Sequence, residues 1–216
     1  MKLWHRFIHP ITQHFRRKRG KFILGVLPEI RQARICDVGG SRHFWEKVDL
    51  GVPAQNITIY NIAETDAGSV DEANTEMPIV IYDGKRIPDE DKRYDLAISN
   101  SLLEHVPPAE RPGLVREMHR VAKTVFMQTP AYEFPVEPHF IMPIIHWLPR
   151  WLAFHLVKLS PWRLLSRPSQ ETIRDYFNGT HLMSRADVQA LFPNGRIYEE
   201  RFLGFTKSYY VVSAQP

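Results

Sequence analysis

Asp37-Val38-Gly39-Gly40-Ser41, at the end of the run RICDVGGS (Arg34–Ser41), is the first place where this chain could do chemistry. Glycine has no Cβ, so backbone at Gly39 and Gly40 can come close to a bound ligand. A strand that runs into glycines and then a helix is a cradle for such a ligand, and Asp37 falls at the strand's C-terminal end. Taken alone, the element reads equally well as a tight turn. Three further polar clusters end apolar runs: Tyr60-Asn61-Ile62, Tyr82-Asp83-Gly84 and Ser99-Asn100-Ser101. Open α/β sheets place ligands beyond the C-terminal ends of their strands. Four polar strand ends in succession therefore predict a crevice able to grip a nucleoside-like ligand. Glu104 and His105 follow the fourth cluster, and Pro135–His139 (PVEPH) stands beyond a fifth apolar run.

These positions need a parallel sheet to hold them. Short apolar runs without strict alternation, as in strands covered on both faces, occur at Ala33–Val38, Asn56–Tyr60, Pro78–Tyr82, Tyr94–Ser99 and Thr124–Gln128. Helical patterns fall at about His43–Leu50, Asp66–Asn74 and Ala109–Val121. This βαβ rhythm predicts right-handed crossovers and helices on both faces. Glu133–Ser166 breaks it with five prolines among Phe140, Trp147, Trp151, Phe154 and Trp162, and reads as an inserted helical cap. A helix near Ser169–Phe177 and another N-capped by Ser184, with Asp187 three residues on, come next. Arg196–Phe202 and Lys207–Ser213 form an antiparallel pair turning at Gly204. The division is an amphipathic basic N-terminal helix over 1–24, then one domain over 25–216 with its insert at about 133–168.

The chain has 216 residues, 44% hydrophobic and 24% charged, the composition of a globular protein. Its one cysteine, Cys36, excludes an internal disulfide and points to a reducing compartment. Met1–Gly20 lacks the apolar core of a signal peptide. The longest uncharged apolar run, Pro138–Pro149, is too short to span a bilayer. These features predict a cytoplasmic chain. Arg16, Arg17, Lys18, Arg19 and Lys21 concentrate the positive excess of the +4 net charge. That segment reads as a solvated helix end or as a site for acidic lipid or nucleic acid. Trp4, Phe7, Ile8, Ile11 and Phe15 share a helical face, which either packs on the domain or anchors peripherally to a membrane. His139, His146 and His155 show no tight ligand pair, so spacing predicts no metal.

With these motifs the sequence resembles the class I S-adenosylmethionine-dependent methyltransferases, in particular their small-molecule, type 11-like domain, over about residues 25–130. The glycine loop resembles Asp37-Val38-Gly39-Gly40-Ser41, the third-strand element Asp83-Gly84-Lys85-Arg86-Ile87-Pro88, and the fourth Tyr94-Asp95 through Leu103-Glu104-His105-Val106. The resemblance implies a Rossmann-like, seven-stranded, mostly parallel sheet with a C-terminal antiparallel pair, and S-adenosyl-L-methionine as cofactor. It implies that Asp37, Gly39, Gly40 and Ser41 lie beside the methionine part. Asn61, with Ile62 next to it, takes the place of the acid that grips the ribose. Asp83 and Gly84 adjoin the adenine, and Ser99, Asn100 and Ser101 line the floor beneath the sulfonium. Ser41 stands for a further glycine, Asn61 for a carboxylate (with Glu64 nearby), and the usual Pro-Gly-Gly turn after Lys123 is missing, which shortens the entry to strand five.

Methyl transfer from a sulfonium is chiefly a matter of alignment. If a general base takes part, His139 or His105 is the candidate, because histidine titrates near neutral pH. The aromatic insert, with Arg150, His155, Lys158 and Arg163, suits a lid over a small apolar or lipid-linked acceptor, a surface resting on a membrane, or a cap buried on its own domain. Two other readings stay open. A nicotinamide dehydrogenase needs a G-x-G-x-x-G turn, where this chain has Gly39-Gly40-Ser41-Arg42-His43-Phe44. A catalytically silent module that kept the fold fits Asn61 and the reduced glycine loop. Nucleic acid is not an expected substrate, since Asn100-Ser101-Leu102-Leu103 stands where base-modifying enzymes carry Asn/Asp-Pro-Pro-Tyr/Phe.

Overall fold

The computed structural model describes residues 18–48, 50–63 and 77–214. The expected helix over Asp66–Asn74, Glu64 and the amphipathic face of residues 1–17 lie outside the described residues. Residues 18–26 form helix α1. Strand β1 (Ile35–Val38) leads into helix α2 (Arg42–Val48), then come β2 (Ile57–Asn61), β3 (Ile79–Ile81) and β4 (Tyr94–Asn100). Helix α3 (Arg111–Val121) hands directly to β5 (Ala122–Pro130), without an intervening turn. The missing Pro-Gly-Gly element has that consequence.

Seven strands form one sheet in the order β3-β2-β1-β4-β5-β9-β8, where β8 is Arg196–Phe202 and β9 is Phe205–Ala214. The first five run parallel, and β9 pairs antiparallel with both β5 and β8. The order reverses between β1 and β4, where Asp37 lies opposite Ile98. This is the topological switch point at which open sheets bind ligands.

Alternate residues of each strand feed opposite faces. On one face Ile35, Ile57, Ile59, Leu96, Ile98 and Phe126 pack with Ile23 of α1 and Trp45 and Val48 of α2. On the other, Cys36, Val38, Ala97, Val125 and Met127 pack with Leu114, Val115, Met118 and Val121 of α3. Asp37 falls on the α2 side by this alternation, which aims a carboxylate into an apolar layer.

The insert after β5 is only partly the expected helical cap. It opens with a short hairpin of β6 (Val136–Glu137) and β7 (Met142–Pro143), because its prolines cannot donate the bonds of a helix. Helices α4 (Arg150–Val157), α5 (Pro161–Ser166) and α6 (Gln170–Gly179) follow. Phe140, Ile145, Ala153, Val157 and Ile173 make a small core of their own, separate from the sheet's two layers. Ser184 caps α7 (Arg185–Leu191) through a full capping box with Asp187. Gly204 turns the last hairpin at φ 85°. No helix among the described residues is long and apolar enough to cross a membrane.

Candidate active site

Asp37 anchors the centre of the strand tips. It is buried, and its Oδ2 accepts the Trp45 indole N–H at 2.7 Å. Its Oδ1 has no partner among the described residues. Burial pushes the carboxyl up to about 7, against the opposing hydrogen bond from Trp45. Gly39, at φ +71°, donates its N–H to Tyr60 O at 2.7 Å, and a Cβ there would lie 2.6 Å from Leu102 Cδ1. A Cβ on Gly40 would lie 1.7 Å from Asp37 Oδ2. Both glycines are therefore demanded by close approach, and Gly39 by its conformation as well. Ser41 O accepts from Phe44 N at 3.0 Å and opens α2.

Asn61, at the tip of β2, turns inward: Nδ2 donates to Gly40 O at 3.2 Å and Oδ1 accepts from Ile62 N at 2.8 Å. It braces the glycine loop. Ile62 is 63% exposed and lies against Gly84, whose Cβ would meet Ile62 Cγ2 at 3.1 Å. Asp83 is exposed and shapes its own turn, Oδ1 accepting from Lys85 N at 2.8 Å and Arg86 N at 2.9 Å. Those two backbone donors hold its pKa below the usual range. Asp95, by contrast, sits at the strand's other end, taking Arg34 N at 3.0 Å and Lys123 Nζ at 2.8 Å.

At the tip of β4, Ser99 is fully buried and its Oγ has no partner among the described residues. Asn100 Oδ1 accepts from Arg19 Nη1 of α1. Ser101 is held at φ +54° by Gln128, whose Oε1 accepts from Ser101 Oγ at 2.8 Å and whose O accepts from Ser101 N at 2.9 Å. Non-glycine residues in this region store strain, and such strain gathers at functional sites.

The fold brings His105 and His139 together from segments 34 residues apart, their ring centroids 4.8 Å apart and edge to face. His139 Nδ1 meets Glu137 Oε1 at 2.6 Å, and Glu137 Oε2 accepts Phe140 N at 2.7 Å. Burial opposes charge on His139, yet the Glu137 and Glu104 carboxylates outweigh it and raise its pKa. Burial, with the neighbouring His139, pushes His105 down to about 4. Glu104 is buried, its pKa raised by that burial; Oε2 accepts Thr129 Oγ1 at 3.0 Å. Tyr176 of α6 stacks on His105 and meets His139 edge-on, both at 5.7 Å. A cavity of about 210 Å³ opens beside Glu137 and Phe140, lined also by Tyr132, His146, Phe177 and His181.

Arg19, Trp45, Thr129, Glu137 and Tyr176 complete the site and were not singled out by spacing. Arg19 belongs to the basic run that reads as a surface feature. Glu137 was within reach, since it precedes His139 by two residues. Trp45 and Thr129 carry no local signal, because only the fold brings them to Asp37 and Glu104.

The residues suit a cofactor with polar donors. Asp37 Oδ1 and Ser99 Oγ are buried and unpartnered on strands flanking the switch point. Such groups are stable only when something hydrogen-bonds them.

Residues 39–124 match the family described as "Methyltransferase domain". No curated protein matches the chain in sequence. Among solved structures, magnesium protoporphyrin IX methyltransferase from Synechocystis PCC 6803, with bound SAH, superposes with a TM-score of 0.57 at 12% identity, over 95% of this chain and 84% of that one. An S-adenosylmethionine-dependent methyltransferase from Mesorhizobium loti gives 0.57 at 15% identity over 90% and 96%. A protein from Pyrococcus horikoshii OT3 gives 0.55 at 17% over 93% and 91%. At these identities the likeness is one of fold. The family match and the strand order agree: residues 39–124 match a methyltransferase domain, set in a Rossmann-like methyltransferase fold.

Proposed function

We propose that the chain moves a methyl group from S-adenosylmethionine to a small or lipid-linked acceptor lying beneath the aromatic insert. The cofactor supplies a methyl already activated on a sulfonium. The protein's larger task is alignment, which can contribute about 7–11 kcal/mol. Asp37 and Ser99 offer the donor side their unpartnered oxygens, while Gly39 and Gly40 let backbone approach. His105 and His139 stand on the acceptor side, where assistance in removing a proton contributes roughly 10²- to 10⁴-fold. The observation that carries the reading is Asp37 Oδ1, buried and without a partner among the described residues at the strand tip beside the switch point.

A lipid-linked acceptor is supported by the outer face of the insert. Trp151 is 69%, Leu159 67% and Leu164 61% exposed, beside Arg150, Lys158 and Arg167. Tryptophan and leucine among cations suit the surface of an anionic bilayer. The cavity of about 210 Å³ is below the roughly 300–1,000 Å³ of sites that enclose a drug-sized ligand. It therefore suits one end of an acceptor whose remainder stays outside.

Calorimetry with S-adenosylmethionine tests the donor side, and micromolar or tighter binding is expected. The competing reading, a silent module, is favoured by Asn61 and Asp83, which already satisfy backbone groups of their own. No measurable binding would establish it. His139→Ala should lower turnover at least a hundredfold with cofactor affinity within about twofold; unchanged turnover removes His139 from the mechanism. Flotation with phosphatidylglycerol vesicles tests the lipid surface. Binding lost in the Trp151→Glu, Leu164→Glu double variant is expected, and failure of the parent chain to float leaves a small soluble acceptor.

A further inference from the structure

We propose that Glu104, His105 and His139 form a binding site for one divalent transition-metal cation of the zinc class. Each offers one ligand atom, and the three atoms lie within 4.8 Å of one another. Two imidazoles and a carboxylate are a set that zinc accepts, with a fourth position left open. Ligands about 2.1 Å from a tetrahedral centre stand roughly 3.4 Å apart, so side-chain rotations of about 1 Å gather this set.

Two further observations point to a cation. Glu104 is fully buried, and Thr129 occupies only one of its oxygens; Oε1 has no partner among the described residues. A buried carboxylate oxygen in that condition is costly unless a cation or donor reaches it. The second is the brace behind His139. Glu137 Oε1 takes Nδ1 at 2.6 Å, and Glu137 is itself fixed by Phe140 N at 2.7 Å. A carboxylate on one ring nitrogen orients the ring and enriches the other, the usual outer shell of a metal-bound histidine. Here it leaves Nε2 as the ligand atom. Tyr176, against both rings at 5.7 Å, closes one side of the site.

The spacing rule missed this site because its ligands come from two segments: an adjacent pair after β4 and a lone histidine in the β6–β7 loop. The site bears on the acceptor side of the proposed methyl transfer: with a cation bound, His139 keeps no free nitrogen to take a proton, and the cation's Lewis acidity would stand in for a histidine base. Its binding does not depend on that reading.

The test is a titration of zinc chloride into the full chain after treatment with a chelator and dialysis, followed by calorimetry and thermal melting. One site of micromolar or tighter affinity and a raised Tm are expected. His139→Gln, His105→Gln and Glu104→Gln should each weaken binding at least tenfold, and Glu137→Gln by about tenfold. His155→Ala, on an exposed face of α4, should leave it unchanged. Circular dichroism of the zinc-free variants establishes that they fold. Absence of a zinc site, or equal affinity in folded His139→Gln and Glu104→Gln, overturns the proposal. Zinc is read without cofactor or acceptor, so this failure leaves methyl transfer standing, and failure of S-adenosylmethionine to bind leaves the cation site standing.

Discussion

Asp37 gives up stability at its position. An unfolded aspartate ionises near 3.8, whereas the buried one holds its proton to about 7. The folded state therefore binds protons more tightly, and the advantage is full below pH 4 and lost as pH rises through 7. At about 1.4 kcal/mol per pKa unit the loss is on the order of a few kcal/mol. Asp37→Asn removes the ionisation and can keep the Trp45 bond. The variant should melt several degrees higher than the parent at pH 8, with a clearly smaller difference at pH 5. The same substitution should weaken S-adenosylmethionine binding at least tenfold, because a ligand donor facing Oδ1 loses its charged acceptor. Binding to the parent should strengthen from pH 6 to pH 8, since the ionised carboxylate is the better acceptor. A calorimetric pH series checks this, and a flat profile would separate Asp37 from the ligand. Asn61 and Asp83 differ in kind. Their side chains already hold backbone, so their substitution should be felt as a loosened loop before it is felt as lost affinity.

Elements decide which of these side chains meet. The β1 tip was legible only once three further polar strand ends stood beside Asp37-Val38-Gly39-Gly40, and β4 was legible from the length of Tyr94–Asn100. The α7 start was legible as well. Ser184 and Asp187 satisfy each other's backbone at 3.2 and 2.9 Å, as a capping box requires. Ser184→Ala should cost about 1 kcal/mol, read as a lowered thermal midpoint with turnover retained. The insert was legible as a break in the rhythm, whereas its opening hairpin was not, since strands of two residues are too short to show a period. Arg19 meeting Asn100 was beyond local reading altogether. The two are 81 residues apart, and periodicity is silent on contacts of that range.

At the scale of the whole molecule, two structures share the work. The sheet, with helices on both faces, carries the strand tips proposed for the donor side. The insert carries His139, Glu137 and Tyr176 on a core of five buried residues that the sheet's layers do not share. The overall sheet was readable from alternating strands and helices, because each βαβ unit has one favoured hand. The meeting of insert and sheet was not, because it depends on packing between Tyr176, His105 and His139 across distant segments.

A core that small melts on its own terms. In rising urea the histidine from the loop should drift away from its fixed neighbour while the strands remain paired, so that turnover fades at a lower denaturant concentration than far-ultraviolet ellipticity. Coincident curves would mean that cap and sheet rise and fall as a unit.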